Sequence, residues 1–137
     1  MGASCKRLLA MPRPLDISIT YDNNVVVSFT VRELIDDSGR IPFREWLAKL
    51  DTTTKARVQA RILRFETGNL GDHKDVGGGV WEARLDFGPG YRVYFGRSGR
   101  ELILLIVGGD KKTQTKDIKR AKELWSRYGK DSKHGKT

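Results

Sequence analysis

The sequence contains few of the residues that build covalent cross-links or metal sites. Its one cysteine, Cys5, excludes a disulfide within the chain, and its place near the start is typical of an incidental thiol. A free thiol suits a reducing compartment, so we expect a cytoplasmic protein. The two histidines, His73 and His134, are far apart and have no cysteine beside them, so we expect no metal site.

Long apolar runs and nucleotide-binding motifs are missing as well. No stretch approaches the ~18 consecutive apolar residues that indicate a membrane-spanning helix. The apolar segment within residues 1–10 is too short for a signal peptide. There is no P-loop, and Gly77-Gly78-Gly79 is typical of a tight connection between strands. We therefore expect neither a membrane protein nor a bound cofactor.

Positive charge, in contrast, is abundant. The 137 residues include 26 Lys and Arg against 17 Asp and Glu, a formal net charge of +9. Eight of the basic residues lie between positions 111 and 130, where only Asp117 and Glu123 are acidic. Such an excess favours a polyanionic partner. Charge alone leaves nucleic acid, the ribosome, an anionic membrane surface and an acidic protein open.

The hydrophobic pattern predicts an α+β fold. Two helices are expected one after the other, the first from Pro42 to Leu50 and the second from a cap at Asp51 or Thr52 to a stop at Gly68. Alternating or continuous apolar patterns predict strands, and a last amphipathic stripe predicts a helix. The strands fall within 17–34, 81–87, 91–96 and 102–107, and the last helix falls at 114–128.

We combine these elements into an N-terminal helical hairpin packed on a twisted antiparallel sheet, followed by a C-terminal helix. Residues 15–128 are interpreted as a single domain. Residues 1–14 are interpreted as a flexible extension, and the polar residues 129–137 as a disordered tail.

Two arginines fall on the polar sides of neighbouring strands. If the intervening turn centres on Gly88, Arg84 and Arg92 face each other, and two like charges there repel unless an anion lies between them. Tyr94, one step further along, would offer a ring on which a base could stack. Lys111 directly follows the last buried strand. The pattern therefore predicts a phosphate-binding face.

Four segments together resemble the toxins of the RelE/ParE superfamily, in the branch of addiction-module killer proteins close to HigB-type and phage-derived members. The segments are WEARL at 81–85, GYRVYF at 90–95, LLIVGGDKKTQ at 104–114 and DIKRA at 117–121. The resemblance covers roughly residues 28–128.

The resemblance implies a microbial-RNase-like fold and a cognate helix-turn-helix antitoxin. It also implies metal-independent cleavage of mRNA in the ribosomal A site, by attack of a 2′-hydroxyl on the adjacent phosphate. By position, Arg84, Arg92 and Lys111 or Lys112 match the basic catalytic residues of these toxins. To these we add Tyr94 as a candidate catalytic residue. The residues interpreted as RNA-binding are Lys112, Gln114, Lys116, Tyr91 and Arg61.

Two positions depart from the RelE pattern. Glu82 stands where RelE is basic, and no tyrosine lies near residues 117–118, so Tyr94 or Tyr91 would have to substitute. Catalysis would then depend on stabilising the charge of the pentacovalent phosphate, with a lysine or tyrosine of lowered pKa accepting the 2′-hydroxyl proton. Two alternatives stay open: a ParE-like inhibitor of DNA gyrase, and an inactive phage-derived homologue that binds nucleic acid.

Overall fold

The computed structural model describes residues 28–99 and 102–136 of the chain, and this part contains five strands and three helices. In chain order they are β1 (Thr30–Glu33), α1 (Pro42–Ala48), α2 (Thr52–Glu66), β2 (His73–Gly77), β3 (Val80–Leu85), β4 (Tyr91–Ser98), β5 (Leu102–Gly109) and α3 (Gln114–Lys136). The fold is mixed α+β, as the hydrophobic pattern predicts. In this part of the chain no helix combines the length and apolarity needed to cross a lipid bilayer.

Local signals account for the ends of α1 and α2. Pro42 occupies the start of α1, where its missing N–H removes no helical hydrogen bond. Asp51 caps α2, because its side chain accepts a hydrogen bond from the backbone N–H of Thr54 at 3.2 Å. Gly68, with φ +90°, follows the end of α2 in the left-handed conformation that favours glycine. Both predicted helices are confirmed.

The direction of one strand and the place of the helix pair differ from the expectation. The sheet has the order β1-β5-β4-β3-β2, and β1 runs parallel to β5, so the sheet is mixed rather than antiparallel. Within the described residues a strand also precedes the helix pair, so the helical hairpin is not the first element. The pattern at 17–34 predicts strands but says nothing of their partners, and residues 17–27 lie outside the described part of the chain.

The sheet is covered on both faces. Helices α1 and α2 place Phe43, Val58 and Phe65 against one face. Helix α3 places Ala121, with Ile118 and Trp125 beside it, against the other face. Strand β5 is buried along almost its whole length, which confirms the interpretation of its continuous apolar run.

Helix α3 continues beyond its expected end. The sequence predicts a helix over 114–128 and a disordered polar tail from 129, whereas α3 extends to Lys136. This segment is polar, and lysine, which recurs in it, is a good helix former. Polarity therefore does not predict loss of helical hydrogen bonds. The expected extension at residues 1–14 lies outside the described residues.

Arg61 joins α2 to the sheet and does not face a ligand. Its side chain is buried, and its guanidinium donates to the backbone carbonyls of Leu70 (3.0 Å), Asp72 (2.9 Å) and Arg84 (2.7 Å). Burial lowers the pKa of Arg61, although a guanidinium keeps its proton in proteins. The prediction that Arg61 binds RNA is wrong, because its donors are used inside the fold.

Replacement of Arg61 by lysine tests this role. Lysine keeps the charge but cannot reach three separated carbonyls with a planar group. We expect Arg61→Lys to lower the free energy of unfolding by about 2 kcal/mol, the usual cost of leaving buried polar groups without partners. Arg64→Lys, on the same helix but exposed, is the matched control and should stay within about 0.5 kcal/mol of wild type. Equal urea midpoints for the two variants would contradict the assignment.

Candidate functional site

The two arginines of the predicted phosphate-binding face do lie opposite each other. In the β3–β4 pairing Arg84 faces Arg92, and Glu82 faces Tyr94. Because side chains alternate along a strand, these four project from the same face of the sheet. Arg92 also pairs in register with Gly109 on β5. Neighbouring strands are about 5 Å apart, so Arg84, Arg92 and the end of β5 form a row across three strands.

Glu82 is the centre of the buried part of this face. Its side chain is 0% exposed, and its Oε2 accepts hydrogen bonds from the hydroxyl of Tyr94 at 3.0 Å and from Nε2 of Gln114 at 2.8 Å. Nε of Arg92 lies 3.4 Å from the same oxygen. We call Glu82, Arg92, Tyr94 and Gln114 the Glu82 cluster. Sequence reasoning treated Glu82 only as a departure from a basic position and missed its central place.

Arg92 is held within this cluster from two directions. Its side chain is 8% exposed. Besides the pairing of Nε with Glu82, its Nη1 donates to the carbonyl of Gly90 at 2.7 Å. Nη2 takes part in neither contact. The guanidinium therefore has a defined orientation at the point where β4 begins.

Four exposed cations lie on the segments that flank this cluster. Arg84 is exposed and lies 3.4 Å from the carboxylate of Asp72. Lys111 follows β5 and lies beside Gly90, in the turn between β3 and β4. Lys112 and Lys116 are exposed in the turn before α3 and in its first turn. We call these four residues the rim cations: Arg84, Lys111, Lys112 and Lys116.

The turn that carries two of the rim cations is fixed by its own hydrogen bonds. Oδ1 of Asp110 accepts from the backbone N–H of Lys112 at 2.9 Å and of Thr113 at 3.2 Å. Thr113 in turn donates its hydroxyl to Asp117. The side chain of Asp117 lies against Gly109, where a Cβ would collide with it. Glycine at position 109 therefore lets the start of α3 approach the sheet.

Tyr94 does not have the role that the sequence suggested. Its side chain is fully buried beneath α3, so the expectation that its ring stacks on a base is wrong. Burial, together with the negative charge of Glu82, raises the pKa of Tyr94 well above its ordinary value. A phenol with a raised pKa is a poor proton acceptor at neutral pH, so the idea that Tyr94 has a lowered pKa is also wrong.

Two further residues that were predicted to bind RNA, Tyr91 and Gln114, contact other side chains of the fold. Tyr91 precedes Arg92 and so projects from the opposite face, where its ring packs against Phe87 at 5.4 Å and Trp46 at 6.4 Å between centroids. Gln114, predicted to bind RNA, donates its amide to Glu82. The sequence grouped both with Lys112 and Lys116 as RNA-binding residues, but the contacts of Tyr91 and Gln114 are with other side chains of the fold. Within the described residues no group of three or more His, Cys, Asp or Glu could hold a metal ion.

The raised pKa of Tyr94 predicts how stability depends on pH. The unfolded chain loses the Tyr94 proton near pH 10, whereas the folded protein keeps it. The contribution of this hydroxyl to stability is therefore complete below about pH 10 and is lost as the pH rises further. We expect the free energy of unfolding, measured by urea titration, to decrease less for Tyr94→Phe than for wild type as the pH rises from about 9 to about 11.

Tyr91→Phe is the matched control, because it removes a hydroxyl outside the Glu82 cluster. It should show the same alkaline decrease as wild type. A Tyr94→Phe variant whose alkaline decrease equals that of wild type would contradict the assignment of the buried hydroxyl.

The match to a protein-family model covers the strands and the start of the helix that form this site. Residues 45–126 match the family model described as "Phage derived protein Gp49-like (DUF891)". A protein of Haemophilus influenzae (strain ATCC 51907 / DSM 11121 / KW20 / Rd), described as uncharacterized, is 48% identical over 90 residues, which are 65% of this chain and 91% of that protein. No solved structure matches the chain significantly. The chain belongs to the phage-derived Gp49-like family, a toxin-like family related to the RelE/ParE-type toxins.

Proposed function

We propose that this protein is the toxin of a type II toxin–antitoxin system, of the RelE/HigB-like kind, and that it cleaves mRNA on the ribosome. The observation that carries the proposal is the row formed by Arg84, Arg92 and the Lys111 turn across three adjacent strands. Positive groups at this spacing suit a phosphodiester backbone. Membership of a toxin-like family supports the toxin role.

In this proposal the protein lowers the barrier to an intramolecular transfer. The 2′-oxygen of a nucleotide loses its proton and attacks the adjacent phosphorus, and the bond to the 5′-oxygen breaks. The products are a 2′,3′-cyclic phosphate and a 5′-hydroxyl, whose oxygen takes up a proton as it leaves. Arg92 and Lys111 stabilise the charge on the pentacovalent phosphate, and Arg84 and Lys116 bind neighbouring phosphates. Because Lys111 acts as a cation and Tyr94 is excluded, the proposed acceptor of the 2′-hydroxyl proton is Lys112 in its neutral form. The ribosome orients the mRNA.

The proposal includes a cognate helix-turn-helix antitoxin as partner. Acidic side chains of that protein would oppose the rim cations and compete with RNA for them. The proposed partners are therefore the antitoxin, the ribosome and mRNA, all in the cytoplasm.

A second candidate is a homologue that binds RNA without cleaving it. The pairing of Arg92 with Glu82 favours this candidate, because a buried carboxylate neutralises one of the charges that catalysis would use. The two candidates share the rim cations and differ in whether bound RNA is cut.

Induction of the protein in a bacterial host tests the proposal. Wild type should arrest growth and produce transcripts cut within codons, mapped by primer extension after a brief induction. We expect Lys111→Ala to reduce cleavage about a hundredfold, because a transition-state donor is lost. Lys49→Ala, an exposed lysine at the end of α1, is the matched control and should cleave as wild type does.

Arg92→Ala should also abolish cleavage, with its folding checked by circular dichroism because Glu82 loses its partner. Growth arrest and transcripts that are the same for wild type, Lys111→Ala and Arg92→Ala would refute the proposal. Binding of RNA without cleavage would favour the second candidate. A DNA-damage response with intact mRNA would instead indicate a gyrase inhibitor.

A further inference from the structure

The Glu82–Arg92 pair contains two buried polar atoms that have no hydrogen-bond partner. Three donors converge on one oxygen of Glu82, while its Oε1 is buried and has no hydrogen-bond partner. Nε of Arg92 is also buried and, although 3.4 Å from Oε2, is not aligned for a hydrogen bond. A buried carboxylate with an unused oxygen and a buried donor beside it are costly to maintain.

Burying the two charges of this pair also costs free energy. Removing a carboxylate and a guanidinium from water costs more than their attraction returns unless further hydrogen bonds complete the arrangement. Here Tyr94 and Gln114 supply such bonds to Glu82, and the carbonyl of Gly90 supplies one to Arg92. The arrangement is a poor source of stability, yet it determines the direction of the Arg92 side chain.

We propose that Glu82 is a positioning residue for Arg92. The negative charge of the carboxylate attracts the guanidinium on its Nε side, the Gly90 carbonyl accepts a hydrogen bond from Nη1, and the edge that carries Nη2 is left for a phosphate oxygen in the row between Arg84 and the Lys111 turn. A guanidinium held this way loses little side-chain entropy when it binds. The inference rests on the proposed function, since it takes the phosphate of RNA as the ligand of Arg92.

A positioning role and a purely electrostatic role for Glu82 predict opposite changes in RNA affinity when Glu82 is replaced. If Glu82 only cancels charge, then Glu82→Gln raises the net charge by one and should strengthen the binding of RNA. If Glu82 positions Arg92, the same variant should weaken binding, because the guanidinium loses its orientation. The sign of the change separates the two roles.

The experiment measures the affinity of the full chain for a short single-stranded RNA at low salt. We expect Glu82→Gln to bind about tenfold more weakly than wild type, the loss typical when a residue that orients a binding group is removed. Asp72→Asn is the matched control: it makes the same chemical change in an ion pair of the same 3.4 Å separation, at an exposed arginine. It should bind as tightly as wild type or up to a few-fold more tightly.

A second measurement does not depend on how well Glu82→Gln folds. In nitrogen-15 NMR spectra of wild type, the Nε–H group of Arg92, assigned with Arg92→Lys, should exchange with water far more slowly than that of exposed Arg84. Glu82→Gln should speed this exchange if it folds.

Equal or tighter RNA binding by Glu82→Gln, or equal exchange rates for Arg92 and Arg84 in wild type, would overturn the positioning role. These failures are distinct from failure of the proposed function. If Lys111→Ala and Arg92→Ala lose cleavage while Glu82→Gln binds RNA more tightly, the proposed function stands and only the role of Glu82 is refuted.

Discussion

Burial of the central strands on both faces is the constraint on which this site depends. Strands β4 and β5 lie between the α1–α2 pair and α3, so a polar side chain there cannot turn to water for a missing partner. Arg92 and Tyr94 are such side chains, and Glu82 on neighbouring β3 is the partner of both. The sheet contains a buried cation because the opposite charge is supplied from the next strand.

A second buried guanidinium, that of Arg61 on α2, is compensated in a different way. Arg61 is buried between α2 and the loop before β2, and it uses backbone carbonyls where Arg92 uses a carboxylate. Carbonyl oxygens compensate a guanidinium without opposing its charge, whereas Glu82 places a negative charge beside Arg92. Apart from the Nη2 edge of Arg92, the cations exposed for a ligand are those of the rim, at the turn between β5 and α3 and on β3.

Much of the site could be predicted from short stretches of sequence. The turn after β3 places Arg84 opposite Arg92, because the length of a hairpin loop sets the register of its strands. The exposed lysines follow from their position directly after a buried strand. Tyr94 shows where such reasoning fails: alternation put it on the correct face, but alternation does not reveal that α3 covers that face. The prediction for Arg61 failed for a similar reason, because the sequence does not show whether a basic residue on a helix faces water or backbone carbonyls.

The sequence by itself determined the helices with their caps, the strands with their turns, the excess of positive charge and the opposition of the two arginines. These features depend on spacing between residues that are close together in the chain. Only the tertiary structure decided which strand lies beside β5, which face α3 covers and which partner each buried polar group has. Those features depend on contacts between distant segments, such as Gln114 with Glu82, and local spacing contains no information about them.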